Sequence, residues 1–261
     1  MNQFQCEVSM LVLFFVLGAV LASFYTCLAL RLSNDISIVK GRSYCDNCHT
    51  TLKALDLIPI FSYIFLGGKC RYCKNKISIV NLLSEISLGI IFALGYYLYG
   101  FSYELYAYLI IASLVLIIFV SDFKYLVILD YPLYICVILI LVLKFIYFGL
   151  NGFINALISG VLLVLFLLLI KLAGDKVFKR ESLGWGDVKL ASFMGVVLGI
   201  RLGLTSIVLG SFMALPYATY YVLKKQEKEI PFGPFLIISV FIIFIFMEQF
   251  DYIIKVLFMI K

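Results

Sequence analysis

Eight runs of apolar residues constrain this chain more tightly than any other feature; they lie at 9–30, 80–99, 103–120, 126–149, 153–170, 188–200, 203–223 and 234–259. A helix needs ~20 apolar residues to cross a hydrocarbon core ~30 Å thick, and most of the runs reach or approach that length. Composition shows that they are not the core of a soluble domain. Of 261 residues, 64% are apolar and 14% charged, against about 45–50% and about 25% in soluble proteins. In water such a chain would lack the polar surface to cover itself, and disorder needs the opposite composition. The expected fold is an all-α polytopic membrane protein of about eight transmembrane helices. The sixth run is the shortest and ends at Arg201. The first follows a segment with Glu7 and no Lys or Arg, so it is expected to stay as a helix and not to be cleaved as a signal peptide.

Charge orients the helices. Seventeen of the 21 Lys and Arg fall on alternate connections. Eight lie in 31–79 (Arg31, Lys40, Arg42, Lys53, Lys69, Arg71, Lys74, Lys76), one is Lys124, five lie in 171–189 (Lys171, Lys176, Lys179, Arg180, Lys189), and Lys224, Lys225 and Lys228 complete the set. The opposite side receives Arg201, Lys255 and Lys261, while Lys144 can snorkel from a helix end. By the positive-inside rule the basic connections are cytoplasmic and both termini lie outside. The net charge of +6 is thus topogenic, and no nucleic-acid partner is expected.

The 31–79 loop holds four of the seven cysteines, Cys45 and Cys48 in SYCDNCHT and Cys70 and Cys73 in GKCRYCKN. Two Cys-x-x-Cys turns at this separation suit a tetrahedral zinc ion. A disulfide framework is the alternative, but a cytoplasmic loop is reducing. His49, next to Cys48, is a spare ligand or a surface residue. Cys6, Cys27 and Cys136 read as small apolar side chains.

Carboxylates in apolar segments are functional candidates because hydrocarbon solvates them poorly. They are Glu85, Asp122, Asp130, Asp187, Glu248 and Asp251, with Glu104 on an outer turn. Glu248 and Asp251 lie toward the outer end of the last run, where Asp251 and Lys255 suit an i,i+4 ion pair. Glu85 begins the second run, where a helix N-terminus also favours an acid. Asp122, in FVSDFKYLVILDYP, and Asp187, in ESLGWGDVKL, close and open apolar runs at one membrane depth. Level carboxylates from two helices can share a site, one protonated and one charged, and activate water against a peptide bond. Gly184 and Gly186 would let a substrate strand approach the backbone closely. Both aspartates are also compatible with helix N-capping.

Gly184-x-Gly186-Asp187-Val188-Lys189 resembles the signature of the type IV prepilin peptidases, a family of membrane aspartic proteases. GAVLASFYTCLALRL is similar to the family's first helix, with Ala22 where glycine is usual. The tandem cysteine pairs around DLIPIFSYIFLGGKC are similar to its cytoplasmic loop, and EIPFGPFL resembles its Pro-Phe-Gly-Pro segment. Asp122 and Asp130 keep the family's eight-residue separation, with Leu129 where proline is usual.

The resemblance implies a bacterial plasma-membrane enzyme that cuts the basic leader from pilin, pseudopilin or competence precursors at the cytoplasmic face. It implies Asp122 and Asp187 as the catalytic pair, Gly184, Gly186 and Lys189 as the substrate-approach loop, and Asp130 as a supporting residue. It further implies methylation of the new N-terminus with S-adenosylmethionine. On this reading residues 1–100, with the zinc loop, form the methyltransferase-associated region, and 101–261 form a six-helix protease region. No glycine-rich nucleotide loop marks a methyl-donor site. A proton-coupled transporter or a zinc-stabilised membrane scaffold is the competing class, although midplane carboxylates and repeats would favour it and neither is evident.

Overall fold

Hydrocarbon offers no partner for a backbone N–H or C=O, so an apolar chain closes its hydrogen bonds within helices. In the computed structural model, which describes residues 3–37, 42–45, 47–224 and 230–257, every long element is helical. Lys40, Lys225, Lys228 and Lys261, four of the charges that orient the chain, lie outside the described residues. The elements are α1 (Gln3–Leu32), α2 (Phe61–Phe65), α3 (Ile79–Tyr99), α4 (Tyr103–Tyr125), α5 (Asp130–Phe178), α6 (Trp185–Leu223), α7 (Gly233–Ile245) and α8 (Met247–Leu257). A 3₁₀ turn at Ala54–Asp56 precedes α2. Pairing of β type is limited, among the described residues, to the bridges Tyr44–Thr51 and Lys69–Lys76.

Five helices (α1, α3, α4, α5 and α6) are long and apolar enough to cross a membrane, and α7 with α8 makes a sixth candidate if the pair is one span. The count differs from the eight runs because two of the helices each join two runs. Helix α5 has 49 residues, ~74 Å if straight, more than twice the hydrocarbon thickness. Gly149 interrupts it with φ 65° and ψ −163°, and Gly199 interrupts α6 with φ 76°; glycine enters that region without steric penalty. The rings of Phe145 and Phe153, on either side of Gly149, approach to 6.3 Å, where a straight helix would separate them by ~12 Å. The chain therefore turns back at the glycine.

Two expectations are corrected. The run 234–259 is not continuous: α7 and α8 meet at an angle of 92°. Glu248, Asp251 and Lys255 give α8 a polar face, and Asp251 binds both Lys255 (2.7 Å) and Arg201 (3.4 Å), so this segment turns away from the line of α7. The segment 171–189 is a loop only over 179–184; Lys171 and Lys176 belong to α5 and Lys189 to α6.

The chain divides into two compact units, Met1–Leu105 and Tyr106–Lys261. In the first, α1 packs on α3 through small residues, the usual device where lipid supplies no hydrophobic drive between helices. A Cβ on Gly18 would lie 2.6 Å from the Leu88 carbonyl oxygen. One turn further on, Ala22 is fully buried, and next Thr26 and Ser84 share a buried hydrogen bond of 3.1 Å. In the second unit α6 packs on α5 and α7. Rings also join α4 to α7, with Tyr108 on Phe241 at 4.9 Å and Phe123 near Phe235 at 6.4 Å.

Candidate functional site

Asp122 lies in the last turn of α4 and Asp187 in the first turn of α6. Both are buried, with 5% and 8% of their surface exposed. Each carboxylate takes a backbone N–H from a chain break, Asp122 from Gly233 at the start of α7 and Asp187 from Gly184 just before α6. The two carboxylates are close enough for their charges to interact, and the positive charge of Lys171 also acts on Asp187.

Glycines fix the tightness of this arrangement. A Cβ on Gly233 would stand 2.9 Å from Asp122 Oδ2 and 2.8 Å from Ile128 Cδ1. A Cβ on Gly186 would stand 3.0 Å from Ile128 Cβ. Ile128, in the connection between α4 and α5, is thus wedged between the glycines that flank the two aspartates. Lys189 faces Asp130, the first residue of α5, with both carboxylate oxygens 2.7–2.8 Å from its Nζ. That exposed pair links the starts of α5 and α6.

The loop leading to Asp187 is held from below. Lys171, 2% exposed, donates to the Leu183 carbonyl at 2.6 Å. It also approaches Asp175 at 3.4 Å and lies 5.0 Å from the Trp185 ring centre. Asp175 accepts from the N–H and the hydroxyl of Ser182 at 2.6 and 2.8 Å. Sequence reading placed Lys171 in an aqueous loop and assigned nothing to Gly233, Ile128 or Asp175. The Gly233-Pro234 pair was a visible helix start, since proline suits a first turn, but its carboxylate neighbour was not.

In the first unit the four cysteines form two matching turns. His49 and Lys74, each directly after the second cysteine of a pair, take the left-handed conformation with φ 55° and 59°. Their N–H groups return to the carbonyls of Cys45 and Cys70 at 2.8 and 3.0 Å. His49 is thereby a turn residue, outside the cluster of thiols. All four Sγ atoms lie within 4.8 Å of one another, and Cys45 and Cys73 are 3.8 Å apart. A zinc–thiolate tetrahedron with bonds of about 2.3 Å has edges of about 3.8 Å, so the donor set fits zinc. The N–H groups of Cys73 and Tyr72 hold the Cys70 thiol below its ordinary value. The Thr50 hydroxyl and N–H do the same for Cys48, and the Asn75 N–H for Cys73.

Between the turns, Asp56 binds Arg71 at 2.6 Å and the Tyr72 hydroxyl at 3.2 Å. Glu85, buried on α3, accepts the N–H of Ile60 at 2.7 Å.

Apolar helices, two buried carboxylates at helix ends in the second unit and a four-thiol turn pair in the first define a multi-helix membrane protein with a metal-binding loop. Comparison with known sequences gives its family. Residues 16–99 match the Bacterial Peptidase A24 N-terminal domain, and residues 109–219 match the Type IV leader peptidase family. Relatives include three proteins named prepilin leader peptidase/N-methyltransferase. That of Neisseria gonorrhoeae is 33% identical over 81% of this chain and 73% of its own length. That of Bacillus subtilis is 29% identical over 86% and 90%, and that of Vibrio cholerae 29% over 90% and 96%. No solved structure matches the chain. The chain belongs to the type IV leader peptidase family.

Proposed function

We propose that this chain removes the basic leader from prepilin-like precursors with Asp122 and Asp187 as the catalytic pair. The observation that carries the proposal is their placement, buried and within charge range at the meeting ends of α4 and α6. Like charges in such a site resist ionising together. One carboxylate takes a proton from water as the oxygen attacks the scissile carbonyl carbon. The other, protonated, donates to the carbonyl oxygen, and the tetrahedral intermediate collapses as the amide nitrogen takes a proton and the C–N bond breaks. Gly184 leaves room for an extended substrate strand beside Asp187, and Gly186 lets the same loop settle against Ile128. Lys189, engaged by Asp130, shapes that approach from the side.

The charge distribution supports placing this site at the cytoplasmic face, where a basic leader is retained and also attracted to anionic lipid. The breaks at Gly149 and Gly199 support eight crossings, by dividing α5 and α6 into two passes each, with both termini outside. Zinc on Cys45, Cys48, Cys70 and Cys73 would cross-link the loop of the first unit and make its folding metal-dependent. The names of the relatives support a second activity, N-methylation of the new terminus; S-adenosylmethionine is the donor that the family resemblance implies, and we assign no residues to it.

The test is cleavage of a purified prepilin by the chain in liposomes. Asp122→Asn and Asp187→Asn each abolish leader loss while the protein still inserts, and Asp130→Asn retains most activity. Robust cleavage by either of the first two variants refutes the pair.

A further inference from the structure

The segment between the two cysteine turns carries an apolar surface that nothing in its own unit covers. From Leu55 to Phe65 it exposes Leu55, Leu57, Ile58, Phe61, Ile64 and Phe65, the last to 84%. These side chains cannot fold inward, because the segment is pinned at several points. Asp56 holds its start through Arg71, Tyr72 and the Lys53 N–H. Ile60, a β-branched residue held at φ 65°, gives its N–H to Glu85. Tyr63 packs on Gly68, where a Cβ would meet its hydroxyl at 2.9 Å. The surface is therefore a fixed feature of the loop.

Its depth indicates what covers it. Helix α3 has 21 residues, ~32 Å, against a hydrocarbon core of ~30 Å. It has just the length to cross, so Ile79 lies near the hydrocarbon boundary. Glu85 is six residues further on, ~9 Å along the axis. The glutamate side chain points back toward the helix start, so a residue bonded to its carboxylate lies level with the first two turns of α3 and not above its end. The neighbouring outward face of α3 at that level is itself apolar and exposed, through Ile79, Val80 and Leu83. Lys53, Lys69, Lys74 and Lys76, all exposed, flank the segment along the same loop, and such basic neighbours favour an anionic lipid surface.

We propose that residues 55–65 form an interfacial anchor. The α2 segment inserts its aromatic and aliphatic side chains among the lipid headgroups and upper acyl chains of the leaflet on the side of the cysteine turns. The two turns are thereby held against the membrane, and short amphipathic elements with an apolar face and basic surroundings bind interfaces in this way. This inference rests on the membrane location of the chain and not on the proposed chemistry of Asp122 and Asp187.

The test uses the full chain in liposomes of phosphatidylcholine and phosphatidylglycerol, with no prepilin present. Trp185, the single tryptophan, is replaced by Phe, and a tryptophan is introduced by Phe65→Trp or, separately, Phe61→Trp. Ile90→Trp on the lipid-exposed face of α3 is the reference for hydrocarbon, and N-acetyltryptophanamide for water. Phospholipid brominated near the headgroup end of its acyl chains should quench positions 61 and 65 strongly. Acrylamide should quench them several-fold less than the aqueous reference. Cysteine-bound zinc equal to that of the parent chain certifies that each variant is folded, and either position alone suffices. Acrylamide quenching at the aqueous level overturns the proposal, because the surface is then solvated. Protection from both quenchers also overturns it, because protein and not lipid then covers the surface.

Discussion

Replacing Gly233 with Ala puts one methyl group where the structure has no space for it. The added Cβ would stand 2.9 Å from Asp122 Oδ2 and 2.8 Å from Ile128 Cδ1. Non-bonded carbon atoms sit comfortably at about 3.5–4.0 Å, so at least ~0.5 Å of movement is required. Ile128 can yield by rotating its terminal methyl. Asp122 cannot yield as easily, because its position is set by the last turn of α4 and by the Gly233 N–H itself. A misplacement of ~1 Å in a catalytic group can lower a rate ~100-fold, and half that displacement gives a loss of roughly tenfold. Overpacking of a tight site also destabilises by ~1–3 kcal/mol. The variant should therefore fold and insert, with lower thermal stability.

The assay is the initial rate of leader cleavage in liposomes, measured at saturating and at limiting prepilin. The loss is expected in kcat, with KM little changed, because the methyl group meets a proposed catalytic side chain and not the substrate path beside Gly184 and Gly186. The double variant Gly233→Ala/Ile128→Val separates the two contacts. It removes the Cδ1 clash and leaves the Asp122 clash, so stability should recover in part and kcat should not. Unchanged cleavage by Gly233→Ala, or full recovery in the double variant, refutes the claim that this glycine sets the position of Asp122.

Three further outcomes are expected. Purified protein should contain close to one zinc per chain by elemental analysis, and Cys45→Ser/Cys73→Ser together should remove it; four readily alkylated thiols in metal-free parent protein would exclude the site. Lys171→Met should weaken the loop before Asp187 by ~1.5–3 kcal/mol, the usual worth of a hydrogen bond to a charged group, seen as faster hydrogen exchange at Ser182 and Leu183 and slower cleavage. Burial acts to raise the Asp56 carboxyl, but Arg71, the Lys53 N–H and Tyr72 outweigh it and hold it below the ordinary carboxylate value. A lowered folded value means that Asp56 stabilises the loop fully above the unfolded value of ~3.9. That contribution is lost as pH falls through the lower folded value. Protease protection of residues 53–72 should thus decline in acid below pH ~4, and Asp56→Asn should flatten the decline.

Hydropathy and charge are one-dimensional signals, and they disclosed what is one-dimensional in this molecule. The helical class, the Cys-x-x-Cys pairs and carboxylates at the ends of apolar runs are all visible along the chain. The breaks inside α5 and α6 fall where separate runs were read, at 149 and at 200, but that helical hydrogen bonding resumes directly after Gly149 and Gly199 was not visible along the chain. The bend between α7 and α8 escaped because an average over 234–259 hides the change from an apolar segment to an amphipathic one. Lys171 was assigned to water because a lysine is judged by its charge alone. Its partners are Asp175, one turn along α5, and Leu183 and Trp185, which only the turn after Phe178 brings back to it.

Five buried or half-buried charged groups obey one rule that sequence cannot display. Glu85, Asp122 and Asp187 each accept a backbone N–H, from Ile60, Gly233 and Gly184. Each of those residues begins or immediately precedes a helix, where the first four N–H groups have no partner within the helix. Lys171 and Lys144 each donate to a carbonyl, of Leu183 and Val197. The first carbonyl lies in the loop before α6 and the second two residues before the break at Gly199, where helical bonding lapses. In hydrocarbon, an unpaired carboxylate and an unpaired N–H are both unfavourable, and each satisfies the other. Charged side chains are thus tolerated in this fold where their charged groups reach helix ends and breaks. Position 118, one turn further into α4, is buried, and the backbone of its own helix is already hydrogen-bonded there. Ile118→Asp in an Asp122→Asn background should therefore fail to restore cleavage and should also destabilise the chain more than Asp122→Asn alone, a difference that thermal melting in detergent would read directly.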